Sequence, residues 1–525
     1  MSRTAADLGA GLAPARAARP IRPGERIHVV GIAGAGASAA ALLARAAAAF
    51  VTGCDSGGAS PYTPALEAAG IPTEWAHSPA HVGVKPPPER LAVTKALTAI
   101  APDHPELVAA ARAGIALEPW QQVVADAAFG RTLVAVAGTH GKSTTAGWLT
   151  WILAEAGHDP AAFVGALLPA ALTNGVPATA RIGAGEPFVV EADEYAGNFD
   201  PYRPDVALLT TIEWDHPDVF ADCAAVIAAF AAWLERAPDA TLVANLDDPG
   251  VLELLGRLQS EGSRRGSVIG VSLGEGRAGE TGSAAGSGGT AGADQAPLWV
   301  DRRIAGRIVE LDANGTVLDV DGLGVAARRV HLPTAGRHAA SDALVALAGA
   351  ATLETAPAEA GADRLLWALA SFPGIGRRLE RKGEARGVVV YDDYGHHPTA
   401  IRATLAALRQ REPDRRVWAV YEPLTYHRTA AMLEDFADAL ADADAVAVAN
   451  IWASRDPDTS ITSAEALATA VRKRRSGITA VAPGSVEETG AWLARNVHDG
   501  DAVLVMGGGR SYRIAEVLLE QLAGR

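Results

Sequence analysis

The segment that most narrows the possible folds is VAVAGTHGKSTT, Val134 to Thr145. The apolar run from Thr132 to Ala137 has the length and density of a buried strand. It passes through Gly138-Thr139-His140-Gly141 directly into the helix-like stretch TTAGWLTWILAEAG. A buried strand turned into a helix by a few glycine-bearing residues calls for a parallel sheet with helices packed on it, so the pattern predicts an α/β chain. The same turn has a chemical use. Loop N–H groups and the positive end of a helix wrap phosphates, Lys142 reaches the terminal phosphates, and Ser143 binds Mg²⁺. Lysine usage sharpens this reading. Among 46 basic residues, Lys142 is the only lysine between Lys95 and Lys382. A chain that relies on arginine keeps lysine where a compact ammonium on a flexible stem is wanted. The bland alternative is a glycine turn with a chance GKS; the pattern favours a nucleotide-binding enzyme.

Two further α/β units flank this one. Arg26 to Val30 reads as a strand entering Gly31-Ile-Ala33-Gly34-Ala35-Gly36 and an Ala-rich helix. Asp55 follows at the next strand end, the layout of a Rossmann-type unit for a dinucleotide or a nucleotide sugar. Phe188 to Glu191 and Val206 to Ile212 read as buried parallel strands. Their carboxyl ends should bring Glu191, Asp193, Glu194, Asp215 and His216 near phosphates on Lys142. SVIGVSL and LWVDRRIAGRIVELDANGTVLDVDG read as short strands with a turn at Asn314-Gly315. Between them, Gly274 to Pro297 is low in complexity and reads as a flexible surface loop. After Arg378, the runs GVVVYDD, RRVWAVYEP, DAVAVANIW, ITAVAP and DAVLVMGGG alternate with amphipathic helices. The expected boundaries are 1–131, 132–373 and 374–525. His396 and His397, read as neighbours on a strand, should point to opposite faces and not form a metal pair.

A length of 525 residues suits several domains at about 150 residues each. The formal net charge of −15 argues against a nucleic-acid partner, which needs a basic face. Anionic small substrates would be held locally, by N–H groups, arginines and metal ions. Cys54 and Cys223 are the only cysteines, with no CxxC and no Cys/His cluster along the chain, so neither a disulfide framework nor a structural zinc site is expected. No leader-like core and no apolar run near the ~20 residues of a membrane span occur, which predicts a soluble, cytoplasmic monomer or homodimer without membrane attachment.

EADE (Glu191 to Glu194), IEWDH (Ile212 to His216), RRLE (Arg377 to Glu380), DDYGHHPTA (Asp392 to Ala400) and YEPLTYHRT (Tyr421 to Thr429) join GTHGKST in one ordered set. Together with TAIAPDHPEL (Thr98 to Leu107), they make the chain resemble the Mur ligase family from Ile27 to about Leu519. The resemblance implies three domains: an N-terminal Rossmann-like nucleotide-sugar domain, a central P-loop ATPase-type α/β domain, and a C-terminal Rossmann-like domain that closes on ATP. It implies ATP-dependent amide formation on the lactyl carboxylate of UDP-N-acetylmuramate, through an acyl phosphate, in peptidoglycan precursor synthesis. The third-domain blocks point to L-alanine as the amine. EYAGNF and IEWDHPDVF lean towards the recycled tripeptide L-Ala-γ-D-Glu-meso-diaminopimelate.

Site roles follow from the same resemblance. Gly138, Thr139, His140, Gly141, Lys142, Ser143, Thr144, Asn245, His338, Asp342, Arg378 and Asp393 would bind ATP. Gly31, Ala33, Gly34, Ala35, Gly36 and Asp55 would bind the UDP-sugar. Mg²⁺ would rest on Ser143 and on the pair Glu191 and His216. Lys142, Glu191, His216, Arg378, His396 and Arg428 would carry catalysis, with Arg428 gripping the amino-acid carboxylate. Three departures from the family pattern stand out. Ala33 replaces a usual glycine, and Ala339 and Asp342 replace the two asparagines of the adenine-side block. No lysine lies between His216 and Asn245 to bridge metals as a carbamate. Three other readings are disfavoured: intact Lys142, Ser143, Glu191, His216 and Arg428 argue against a non-catalytic ATP-binding regulator, DDYGHHPTA and the N-terminal unit against a folate polyglutamylating ligase, and GTHGKST is left unexplained by an NAD-dependent oxidoreductase.

Overall fold

The computed structural model describes residues 8–275, 299–355, 358–453, 456 and 458–524. The expected loop lies, from residue 276 on, outside the described residues. Strands and helices alternate as the α/β pattern requires, and they assemble into three sheets.

The first sheet is all parallel, in the spatial order Thr73–Glu74, Phe50–Cys54, Arg26–Val30, Arg90–Val93, Ala116–Pro119. The order reverses direction at Arg26–Val30, and such a switch point opens a crevice at the strand ends. In the ten-stranded second sheet, Thr132–Ala137 lies between Pro187–Ala192 and Val206–Leu209, parallel to both. These strands are buried on both faces, which explains their unbroken apolar runs. The hairpin at Asn314-Gly315 joins Arg302–Asp312 to Gly315–Asp321 as expected, and Arg328–Leu332 ends that side of the sheet. The third sheet runs Glu380–Ala385, Val388–Asp393, Asp501–Gly507, Arg416–Glu422, Ala445–Ala449, Thr479–Gly484, with only its first strand antiparallel.

Helix Lys142–Glu155 is pinned by tryptophan packing. Trp148 is fully buried, stacks on Phe372 at 4.7 Å and donates its indole N–H to the Leu369 carbonyl at 3.0 Å. Truncating such a side chain costs about 3–5 kcal/mol. One apolar core runs continuously from the first sheet into the second, whereas the third sheet has its own. Among the described residues, no helix is long and apolar enough to cross a membrane.

Two local expectations need correction. The strand expected over Val206 to Ile212 stops at Leu209. Beyond it the backbone peels away to serve the phosphate-type loop, the Thr211 carbonyl accepting from Thr139 N–H at 2.7 Å. His396 and His397 are not strand neighbours. Val388–Asp393 ends before them, and His397 caps helix Pro398–Arg411, its ring accepting from Thr399 N–H. Pro398 at the first helical position makes that start favourable.

Candidate active site

The loop after Thr132–Ala137 is shaped by two glycines in left-handed geometry, Gly138 with φ 142° and Gly141 with φ 80°. A Cβ on Gly138 would meet Thr210 Oγ1 at 2.1 Å, and one on Gly141 would meet Asp342 Oδ1 at 2.3 Å. Only glycine fits either place. The loop ends as the N-terminus of helix Lys142–Glu155, where unpaired N–H groups and the dipole favour an anion.

Lys142 lies within the loop. Its ammonium donates to the Gly138 carbonyl at 2.6 Å and to Glu194 at 2.9 Å, with Asp193 at 3.5 Å. Burial works against its charge, but the Glu194 and Asp193 carboxylates prevail and raise its pKa. Burial raises the Glu194 carboxyl; desolvation also opposes the charge of Asp193, which is only partly covered, but Lys142 and His216 hold it below its usual value. Ser143 Oγ donates to Glu191 at 3.1 Å and accepts from Arg378 at 2.9 Å. Glu191 also accepts from Gly165 N–H at 2.6 Å. Arg378 thus reaches from the rim of the third sheet onto the loop of the second, its guanidinium 5.3 Å from the Tyr394 ring centre.

Behind this group sits a second ionic set. Arg428, only 3% exposed, pairs with Asp215 at 2.6 Å and lies 3.0 Å from His216 Nδ1. Burial opposes the Asp215 charge, but His216 and Arg428 hold it well below the usual carboxylate range. His396 is kept neutral by burial and by Arg428. Arg428 therefore spends one arm on a protein carboxylate, while its buried Nη1 has no hydrogen-bond partner among the described residues. His216 faces Asp193 and Glu194, all three offering ligand atoms within 4.8 Å of one another, whereas Glu191 is engaged with Ser143.

A cavity of about 900 Å³ gathers these elements. It is lined by Thr139 to Thr144, Glu191, His216, Asn245, His338, Asp342, Arg378, Asp393 and His396, and on the first-sheet side by Ala35 and Gly36. Asn245 donates to the Thr210 carbonyl at 2.8 Å, and Asp393 accepts from Leu379 N–H at 2.8 Å, so both brace the walls. His338 stands exposed on the cavity wall, where desolvation by the surrounding wall makes it less basic. Gly31, Ala33, Gly34, Asp55, Gly138 and Arg428 do not line the cavity. Asp55 ties down its own glycine loop, accepting from Ala33 N–H at 3.1 Å. Ala33 is absent from the residues with positive φ, so its methyl is tolerated where a glycine was expected.

Three features escaped the sequence reading. His140 pairs with Glu213 at 3.0 Å and packs against His397 at 4.5 Å, and burial, helped by His140, pushes His397 down to about 4. Trp120 lies so close to Gly36 that an added Cβ would sit 2.2 Å from its ring. Lys95 donates to the Ala196 and Gly197 carbonyls at 2.7 and 2.8 Å, tying the first sheet to the second. Only the lysine carried a signal, its rarity.

Comparison with known proteins follows the same division. The Mur ligase family, catalytic domain, matches residues 26–131, the Mur ligase middle domain 136–350, and the Mur ligase, glutamate ligase domain, 377–509. A UDP-N-acetylmuramate–L-alanine ligase of Frankia casuarinae is 36% identical over 83% of this chain and 84% of its own. The protein of the same name from Mycobacterium sp. (strain JLS) is 35% identical over 95% of this chain and 96% of its own. In fold, the chain is similar to the UDP-N-acetylmuramate–alanine ligase of Thermotoga maritima, with a TM-score of 0.72 and 22% identity over 95% of this chain and 99% of the other. It is also similar to a murein peptide ligase of Psychrobacter arcticus, with a TM-score of 0.68 and 24% identity over 96% of this chain and 99% of the other.

Proposed function

Because the chain belongs to the Mur ligase family, we propose that it joins L-alanine to the lactyl carboxylate of UDP-N-acetylmuramate at the expense of ATP. The observation that carries this reading is the convergence of Lys142 and Arg378, from two different sheets, on the loop around Ser143. Making an amide from a carboxylate and an amine is uphill in water, and phosphorylating the carboxylate first makes it an acyl donor. That step spreads negative charge over phosphoryl oxygens, so it depends on positioned cations more than on covalent catalysis. ATP phosphates in the loop would draw the Lys142 ammonium away from Glu194 and Asp193, and Arg378 would clamp the transferring group. The helix N-terminus and Gly141 N–H complete the cradle, and His338 and Asp342 wall the base side.

The donors also fit Mg²⁺, which prefers oxygen ligands. Ser143, Glu191 and His216, with Asp193 and Glu194 beside them, would hold it. Once bound, the cation would screen the repulsion between carboxylate and phosphate. On the amine side, Arg428 lies just behind the cavity wall formed by Asp215 and His216; fixed by Asp215, it would turn its buried, unpaired Nη1 to an amino-acid carboxylate. His396, whose Nδ1 donates to the Tyr394 carbonyl at 2.9 Å, would turn its neutral Nε2 lone pair to an N–H of the incoming amine and orient it for attack. The first sheet, with Ala35 and Gly36 on the cavity, would seat the UDP-sugar, and domain limits of 1–131, 132–373 and 374–525 separate the three roles. L-alanine is preferred to the tripeptide because the curated relatives similar along most of the chain bear the L-alanine ligase name.

UDP-N-acetylmuramate labelled with ¹⁸O in its lactyl carboxylate tests the reaction. Turnover with ATP and L-alanine should deliver one labelled oxygen to the released phosphate. Product formed with unlabelled phosphate would remove the acyl-phosphate reading.

A further inference from the structure

The fold assembles a group that linear spacing concealed. His28 lies on the central strand of the first sheet and Cys54 at the end of its neighbour. In their parallel register His28 pairs with Thr52 and Val30 with Cys54, so both side chains leave the same face. Glu106, in the first turn of helix Pro105–Ala113, and His81 close over that face.

We propose that His28, Cys54, His81 and Glu106 form a binding site for one thiophilic divalent cation of the zinc class, separate from the nucleotide cavity. The distances are those of a coordination shell. His28 Nε2 lies 3.4 Å from Cys54 Sγ and 3.4 Å from Glu106 Oε2. Cys54 Sγ lies 3.2 Å from Glu106 Oε2, and His81 Nδ1 lies 3.0 Å from Glu106 Oε1. One ligand atom from each of the four residues falls within 4.8 Å of all the others. A tetrahedron with metal–sulfur bonds near 2.3 Å and metal–nitrogen or –oxygen bonds near 2.0 Å has edges of about 3.3–3.6 Å.

The surroundings match the ligands. His28 Nδ1 meets Thr52 Oγ1 at 2.8 Å; donation to that hydroxyl leaves the Nε2 lone pair facing the sulfur and the carboxylate. Ser78 N–H holds Glu106 at 2.7 Å. His28, Cys54 and Glu106 are buried. Next to the group lies an unsatisfied side chain, His104, 6% exposed, whose two ring nitrogens have no hydrogen-bond partner among the described residues. Its ring lies 4.5 Å from that of His77, which itself touches Cys54 Sγ at 3.2 Å. The His81 side chain is 17% exposed and gives solvent a route in. Binding exchanges the Cys54 thiol proton for the cation, and the proton leaves to solvent. The cation would staple the segments carrying His81 and Glu106 to the two strand ends.

The full chain, stripped with a chelator and kept anaerobic, is titrated with Co²⁺. The expected result is one tight equivalent with intense tetrahedral visible bands and a near-ultraviolet thiolate-to-cobalt band, both erased by one equivalent of Zn²⁺. Cys54→Ser should lose the thiolate band and Cys223→Ser should keep it. His81→Ala, at a partly exposed position, should retain the native circular dichroism and bind at least tenfold more weakly. The cleft group of Asp193, Glu194 and His216 has no thiolate and cannot give that band. A spectrum without thiolate character, a band that survives Cys54→Ser, or unchanged affinity in folded His81→Ala would overturn the proposal.

Discussion

Asp342 sits in the second turn of helix Arg337–Ala351, buried against the phosphate-type loop. Burial raises its carboxyl to about 8, with Arg378 pulling the other way, from an ordinary value of 3.8. Between those two values the folded chain holds a proton that the unfolded chain has released. The stabilising proton is fully matched below the unfolded value, and stability then falls as pH rises towards the folded value, by about 1.4 kcal/mol per pH unit. From about pH 5 to about pH 7 the loss from this one group is therefore roughly 3 kcal/mol. Asp342→Asn keeps the size and removes the proton, so its stability should lack this slope. Urea unfolding followed by tryptophan fluorescence at several pH values measures the difference, with Trp148 reporting the adjacent core. The variant's advantage over the parent should grow by about 1.4 kcal/mol per pH unit. A difference that stays constant across this range would refute the reasoning.

Lys142→Ala should lower turnover at least about a hundredfold. Its circular dichroism should be unchanged, since Glu194 can take up a proton once the ammonium is gone. Arg428→Ala leaves Asp215 buried without its partner. It should cost about 3–5 kcal/mol in unfolding experiments and raise the Michaelis constant for the amine, with that for ATP nearly unchanged. Gly36→Val must displace the Trp120 ring, so it should cost about 1–3 kcal/mol. Initial rates should show weaker use of UDP-N-acetylmuramate and an ordinary response to ATP.

Local periodicity made much of this fold legible. Thr132 to Ala137, the glycine turn and the following helix are contiguous, and their pattern depends on no distant residue. The acidic strand ends were legible for the same reason, since parallel sheets gather ligands at one edge. What escaped depends on tertiary approach. Thr210 and Thr211 look like strand residues, but the Thr210 hydroxyl and the Thr211 hydroxyl and carbonyl are committed to the loop beside them. His396 and His397 look like a strand pair, although Pro398 signals the helix start that redirects them. Arg428 and Asp215 are 213 residues apart and paired at 2.6 Å, and no spacing announces such a pair. The His28, Cys54, His81 and Glu106 group was read as absent because its members come from separate segments.

The most direct test is phosphate release from ATP in the presence of Mg²⁺ and UDP-N-acetylmuramate, with L-alanine, the L-Ala-γ-D-Glu-meso-diaminopimelate tripeptide, or no amine. Saturable release with L-alanine, and little with the tripeptide or without amine, is the predicted result. Saturating release with the tripeptide and none with L-alanine would contradict it.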